Sequence, residues 1–413
     1  VNVTAVNNTT DDNESDNTLE KDLSVAWGTA QRIPMIEHFS SSSCTPCVSV
    51  NASMKTLTNN NPGKYTYVKY STSWPSPTDT HYIPECDVKA QYYGVSGVPV
   101  IMLDGEDRGT PVTQATLDSR FNTPAIADVR GAFNIDGNTL HVTADFMSYA
   151  NMSDVKAFVT VNEKVIEKNG ANGESEFRHI LLKMLGGVSG TDVELKAGEY
   201  QRLEFTHDMS TTKMQDINDL EVTLWLQNLE TKEVFNSHFA YEYTDHCYPV
   251  QNLRLIEEDG NISVTFEAPE QGTPIGYNVY NNGVLIAENT TELSHSITVG
   301  DMNIIGVVTL YEDGKTSVPV VKLNGSGDGV EETTFAENTF NIYPNPAKDY
   351  VKVSGDDIKT ISVYNSLGAL VERIDVENNT TLIDLSGYNS GVYFINVEQN
   401  NGVSTTQKIV VTK

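Results

Sequence analysis

The chain has 413 residues, 56 of them Asp or Glu against 27 Lys or Arg, for a formal charge of −29, and 38% of it is apolar. This excess of negative charge repels phosphate backbones, and no Lys/Arg stripe interleaved with aromatics is present, so nucleic acid is excluded as an expected partner. The apolar share is enough for a real core, the length suits two to four domains, and no apolar run reaches the about 18 residues that a membrane-spanning helix needs.

The first residue is Val1 rather than Met, and the chain reads as already processed. Residues 1–24, rich in Asn, Thr, Asp and Ser, lack apolar anchors and read as a linker or frayed start, carried to residue 29. "RIPMIEHF" (32–39) then reads as a short buried strand, with "SSSSCTPC" at its C-terminal end. From Cys47 to Asn59, Val48, Val50, Met54 and Leu57 fall at helix-compatible spacings before "NNNPG" closes the segment. "KYTYVKYS" (64–71) has strand composition, and residues 79–94 look helical apart from Pro84. "VPVIMLDG" (98–105) is a strand ending in an Asp-Gly turn. "TPVTQATLDSRF" (110–121) reads as a closing helix with Thr110 as N-cap and Pro111 at the first helical position. The predicted order is βαβαβ(β)α.

Cys44 and Cys47 are half of the four cysteines. On residue type alone a Cys-x-x-Cys pair is a dithiol redox centre, half of a zinc site or a small structural disulfide. A zinc site needs a second ligand pair, but Cys86 and Cys247 stand alone and none of the eight histidines has ligand spacing, so neither metal nor cofactor is expected. At a helix N-terminus Cys44 is the candidate nucleophile, because unpaired N–H groups favour its thiolate; Cys47, one turn on, is the candidate resolving cysteine. Pro46 suits an early helical position, where its missing N–H is not needed. Cys86, in "HYIPECDVKAQYYG", reads as a third redox cysteine, a buried free thiol, or the partner of Cys247 in "YTDHCYPV"; a Cys86–Cys247 structural disulfide is the reading favoured. Trp74 follows a strand whose C-terminal end faces the cysteine pair, and it reads either as a core cap or, with Thr45, Pro46 and Val98, as lining for a substrate groove.

The element order, the Cys-x-x-Cys at a strand-to-helix corner and "GVSGVPVIMLDG" together resemble a thioredoxin fold over residues 30–122. The resemblance implies a cis peptide bond at Pro99 facing the cysteines, and makes Cys44, Cys47 and Pro99 the candidate catalytic residues. Ser43 stands where family members often carry tryptophan, and His38, with Glu37 beside it, aligns with the family's buried acid.

Residues 127–245 carry strand-like runs ("LHVTADF", "VKAFVTVNEKVI", "EFRHILLKML", "YQRLEFTH", "LEVTLWLQNL") parted by Gly, Asn and Asp turns, which predicts an antiparallel β-sandwich with His179 as a satisfied sheet residue. "MIEHFSSSSCTPC" and "EFRHILLKMLGG" resemble the 28-kilodalton outer-membrane-protein-related family of Bacteroidota. Residues 248–323 read as seven short strands with "NNG" and "EDG" turns, similar to a fibronectin type III module with Phe266 in place of the core tryptophan. A Gly- and acid-rich linker follows at 324–336.

Residues 337–413 read as a compact sandwich of six or seven strands, with turns at Gly355, Gly368, Asn378–Asn379 and Asn400–Gly402. Tyr343-Pro344-Asn345-Pro346, Val363-Tyr364 with Gly368, Ser390-Gly391-Val392-Tyr393-Phe394 and Lys408-Ile409-Val410-Val411 resemble the type A C-terminal sorting domain of the type IX secretion system. That resemblance implies recognition by the secretion machinery, export through the outer membrane of a Gram-negative bacterium and usually removal of the domain. The expected protein is multidomain and mainly β: an α/β thioredoxin-like domain followed by three β-sandwich domains, secreted or held at the cell surface. Its expected function is thiol–disulfide oxidoreductase or isomerase work on cysteine-containing client proteins, and in oxidising surroundings the pair would rest as a disulfide. The alternative is a non-enzymatic binding or adhesion protein that uses the fold as a scaffold; a cysteine protease lacks a histidine and asparagine context around Cys44.

Overall fold

The computed structural model describes residues 25–300, 302–324, 340–343, 347–355, 358–365, 369–376, 380–399 and 404–412. Pro344-Asn345-Pro346, Gly368, the turns expected at Asn378–Asn379 and Asn400–Gly402, and linker residues 325–336 lie outside them. The protein is mainly β, with several sheets in several domains.

The N-terminal part runs β1 (Met35–Ser40), α1 (Cys47–Asn59), β2 (Thr66–Ser71), α2 (Pro84–Tyr93), β3 (Val100–Leu103), β4 (Glu106–Asp107) and α3 (Gln114–Phe121). β1 pairs parallel with β2 and antiparallel with β3, which pairs antiparallel with β4. All six residues of β1 are buried, as expected of a strand with helices on both faces. Alternate side chains of a strand point to opposite faces. Met35 and Phe39 therefore pack with Cys86, Ala90 and Tyr93 of α2, while Ile36 packs with Met54 and Leu57 of α1 and Leu117 of α3.

Two helix starts differ from the sequence reading. α2 begins at Pro84 rather than 79, since proline is well placed only in the first helical turn. α3 is capped by Thr113, whose side chain accepts the Thr116 N–H, not by Thr110, whose hydroxyl instead accepts the Ile101 N–H at 3.0 Å.

The next part contributes β5 (Ala127–Asp136), β6 (Thr139–Ser148), β7 (Met152–Glu167), β8 (Glu176–Leu185), β9 (Thr191–Leu195), β10 (Tyr200–Asp208), β11 (Leu220–Asn228), β12 (Val234–Phe239) and β13 (Tyr241–Glu242). A four-stranded sheet, β10-β6-β5-β13, packs across a core of Val129, Phe146, Val159, Val222 and Leu224 onto a larger one. That larger sheet is the main departure from the sequence boundaries. Its order is β12-β11-β7-β8-β2-β1-β3-β4, with β9 beside β7, so residues 30–122 and 127–245 share one nine-stranded sheet. The seam is β8 against β2, parallel, with Lys69 opposite Ile180. Without it β2 would present an open edge of unpaired N–H and C=O groups. The halves also interlock at the far end: the Val234 N–H donates to the Asp104 carbonyl at 3.2 Å, and Gly105 lies so close to the Lys232 carbonyl that a Cβ would sit 1.8 Å from it.

Seven strands between Gln251 and Asn324 form sheets of three and four around Ile262, Val264, Phe266, Val279 and Val307. Phe266 fills that core, its ring edge-on to Tyr277 at 5.2 Å. The unit docks on the preceding one through Ile304, Val318 and Val321 against Met147, with the Val321 N–H donating to the Gly198 carbonyl. Seven further strands between Phe340 and Val411 again form sheets of three and four, over a core that includes Val351, Val353, Ile361, Val363, Ile395 and Val397.

Candidate functional site

Cys44 and Cys47 are joined by a disulfide at the C-terminal end of β1. The helix α1 starts at Cys47 itself with Pro46 as its cap residue, so Cys44 stands just ahead of the first turn rather than inside it. The Cys47 N–H points at the Cys44 sulfur, 3.1 Å away, one of the donors that a helix leaves without an intrahelical acceptor. On reduction that donor would favour the Cys44 thiolate. The carbonyl of Val98 lies 3.6 Å from the Cys44 sulfur, and the Val98–Pro99 peptide bond is cis. The structure thus brings Cys44, Cys47, Val98 and Pro99 together across more than fifty residues of sequence, with Thr45 and Pro46 exposed beside them. Trp74 is half-buried; its neighbour Pro75 accepts a hydrogen bond from the Ser43 hydroxyl at 2.7 Å. Among the described residues the Trp74 indole N–H has no partner.

Cys86 and Cys247 are not joined: both are buried free thiols. This corrects the expected structural disulfide, and the reason is where each element points. Cys86 faces the sheet from α2 among Met35, Phe39 and Tyr93, whereas Cys247 lies between the second and third units, near Tyr311 and Asp145. Burial pushes both thiols up to about 12, so neither competes as a thiolate near neutral pH.

Behind the disulfide the sheet carries His38 and Glu37, which the sequence singles out, and a buried Lys69, which it does not. His38 is fully buried with Nδ1 2.6 Å from the Tyr67 hydroxyl, and burial holds its pKa well below the usual range. Opposite it on β2 is Lys69, also buried, which donates to Asn51 of α1 at 3.1 Å. Glu37, beside His38, points to the other face, where Tyr70 donates to it at 2.8 Å and Lys89 pairs with it at 2.9 Å. No buried acid therefore stands at the His38 position.

Burial lowers Lys69 from 10.5 to about 8. Between those values the unfolded chain holds a proton that the folded chain has lost, so this group makes stability rise with pH across that window; below about 8 the cost of burying the charge is present in full. Replacing Lys69 with Met should therefore stabilise the protein relative to wild type by up to about 3 kcal/mol near neutral pH, and the advantage should shrink toward pH 10. Urea unfolding of both proteins across pH 7 to 10 checks this; a constant difference would refute it.

The second feature missed in sequence is a loop from the other half of the molecule. Residues 168–175, between β7 and β8, lie over the cysteine segment. Asn172 donates its backbone N–H to the Ser42 carbonyl at 2.9 Å and its side-chain N–H to the Cys44 carbonyl at 3.1 Å. Glu174 accepts from Asn51 of α1 at 2.9 Å. Under this cover Cys44 is 2% exposed and Cys47 fully buried. The only advance signal was a pair of Asn-Gly steps, which announces a turn but not what the turn covers. Among the described residues no group of three or more His, Cys, Asp or Glu is placed to hold a metal ion, and no helix is long and apolar enough to cross a membrane.

Comparison with known proteins finds the secretion system C-terminal sorting domain at residues 341–412. The chain is a type IX secretion system substrate, and hence a secreted or cell-surface protein. It is similar to beta-agarase A of Zobellia galactanivorans, 27% identical over 259 residues (59% of this chain, 45% of that protein), and to beta-agarase D of the same organism, 33% identical over 72 residues (17% and 15%). The chain spans less than half the length of these curated relatives. Among solved structures it is similar to HBP35 of Porphyromonas gingivalis, at 14% identity and a TM-score of 0.44 over 93% of this chain and 100% of that one. It is also similar to a domain of the outer membrane lipoprotein Omp28 from the same organism, at 13% identity and a TM-score of 0.22 over 29% of this chain and 92% of that one.

Proposed function

We propose that the exported chain carries a thioredoxin-like dithiol–disulfide site, and that it acts as a thiol–disulfide oxidoreductase or isomerase on cysteine-containing proteins at the surface of a Bacteroidota cell. The observation that carries this reading is the meeting of the Cys44–Cys47 disulfide with the Val98 carbonyl, 3.6 Å from the Cys44 sulfur and next to the cis Pro99. Such a carbonyl beside the less buried cysteine offers an acceptor to the backbone of an incoming chain. The strand order β2-β1-β3-β4 with α1 and α3 on one face and α2 on the other supports the same assignment. The fibronectin type III-like and sorting units then space and deliver the site. Agarose chemistry is no part of this proposal.

In the exchange, a client thiolate attacks the Cys44 sulfur, a mixed disulfide forms, and the electron pair of the broken S–S bond leaves on Cys47 as a thiolate that takes up a proton. A second client thiolate then attacks the client sulfur of the mixed disulfide and Cys44 leaves as a thiolate, so the client departs with a new disulfide and the pair is reduced. In the opposite direction the reduced Cys44 attacks a client disulfide, and Cys47 resolves the mixed disulfide by re-forming the Cys44–Cys47 bond and releasing the client thiolate. Cys47→Ser removes the resolving thiol, so mixed disulfides should accumulate on Cys44 in cells expressing this variant and disappear on reduction. Their absence, together with no refolding activity on a scrambled disulfide protein, would overturn the proposal.

One observation favours a second reading. Both cysteines are buried, which suits a fixed disulfide in a binding or adhesion module. A folded Cys44→Ser/Cys47→Ser double variant that keeps full binding to partner cells would support it.

A further inference from the structure

The loop over the disulfide belongs to neither α1 nor the strands that frame the cysteines. It is the tip of the β7–β8 hairpin, whose last strand pair is Glu167 with Glu176, and it closes on itself through Gly170 N–H to the Glu174 carbonyl at 2.7 Å. Asn172 is the residue that ties this tip to the cysteine segment. Its backbone and side chain donate to Ser42 and Cys44, its side chain also donates to Glu174 at 2.6 Å, and its Oδ1 accepts the Glu174 N–H at 3.1 Å. Glu174 in turn holds Asn51 on α1. The tip fits closely: a Cβ on Gly170 would stand 3.0 Å from the Ser42 carbonyl.

Resting on the oxidoreductase reading above, we propose that Asn172 is a specificity-determining residue, which holds the 168–175 tip as a roof so that the disulfide exchanges with small thiols and extended, unfolded segments and rejects thiols fixed on folded domains. The physical reason is the line of attack. A thiolate must approach the Cys44 sulfur along the S–S axis. With Cys44 2% exposed and Cys47 fully buried, a reagent no wider than a chain can reach the pair, but a rigid surface meets the hairpin first. The tip is joined to the cysteine segment by hydrogen bonds rather than covalently, so losing the Asn172 side chain removes its bonds to Cys44 and Glu174 and loosens the tip, while the backbone bond to Ser42 and the sheet seam below remain.

The test follows reduction of the purified disulfide by dithiothreitol, by an extended cysteine-containing peptide and by a folded protein with one surface thiol, in wild type and in Asn172→Ala. Wild type should react with the first two and be slower with the third by at least about a hundredfold per thiolate. Asn172→Ala should speed the folded reagent by about tenfold or more, the factor expected from losing one or two net hydrogen bonds, while changing the dithiothreitol rate by less than about threefold. A second variant, with residues 169–174 replaced by a two-residue Gly turn, should show the same selective gain, and its unfolding midpoint and that of Asn172→Ala report whether each is folded. Equal wild-type rates for peptide and folded reagent, or an unchanged ratio in both folded variants, would overturn the roof. If the ratio shifts as expected but Cys47→Ser traps no client, the roof stands and the oxidoreductase reading falls.

Discussion

Deletion of residues 341–412 should leave the rest of the chain folded but abolish its appearance outside the cell, with the truncated protein accumulating in the periplasm. The sorting-domain match covers this segment, and its buried core, from Ile342 to Val411, is built from its own residues. The preceding units keep separate cores, so among the described residues those cores keep their packing when the segment is removed. Cell fractionation with protease shaving of intact cells reads the outcome. Undiminished shaving of the truncated protein would contradict the sorting role.

Breaking the pair under α2 should be the most damaging single change in the N-terminal half. Glu37 is fully buried, and the Lys89 ammonium beside it is packed among the rings of Phe158 at 4.8 Å, Tyr93 at 5.1 Å and Trp225 at 5.5 Å. Tyr70 and Tyr93 both donate to the carboxylate. Lys89→Met leaves that carboxylate buried without its cation, and the expected loss is about 3 to 5 kcal/mol. Neutralising both partners in Glu37→Gln/Lys89→Met should recover most of this, since the stranded charge, rather than the attraction itself, makes the single change costly. Urea unfolding of the three proteins measures the cycle; a single-variant loss below about 1 kcal/mol would show the pair to be weakly coupled.

Local patterns carried much of the N-terminal half. A strand bounded by Cys-x-x-Cys, a helix closed by "NNNPG" and an Asp-Gly turn after Leu103 are features of neighbouring residues, and β1, α1 and β3 lie close to where those signals put them. What the chain hid was pairing between distant strands. Nothing in "KYTYVKYS" tells that Lys69 will face Ile180, because β-composition describes a strand and not its neighbour. The Asn172 contact was hidden for the same reason, 128 residues from Cys44. An even cysteine count invited the pairing of Cys86 with Cys247, but a count carries no direction, and α2 turns Cys86 inward beneath β1. His38 shows a subtler limit. Its place in the alignment of strands was legible, yet only the structure shows that the neighbouring acid faces away from α1.

The seam between β2 and β8 also sets where this protein can be cut. A fragment ending near residue 122 would carry the Cys44–Cys47 disulfide, Pro99 and every element of the first half, yet it would lose the strand beside β2. Its bare flank would be a template for the flank of another copy, and such fragments are expected to aggregate. The smallest portable piece runs from about Trp27, which is tied to Tyr149, to the end of β13. Gene rearrangements that shuffle this disulfide-bearing unit among exported proteins would have to move both halves as a single block.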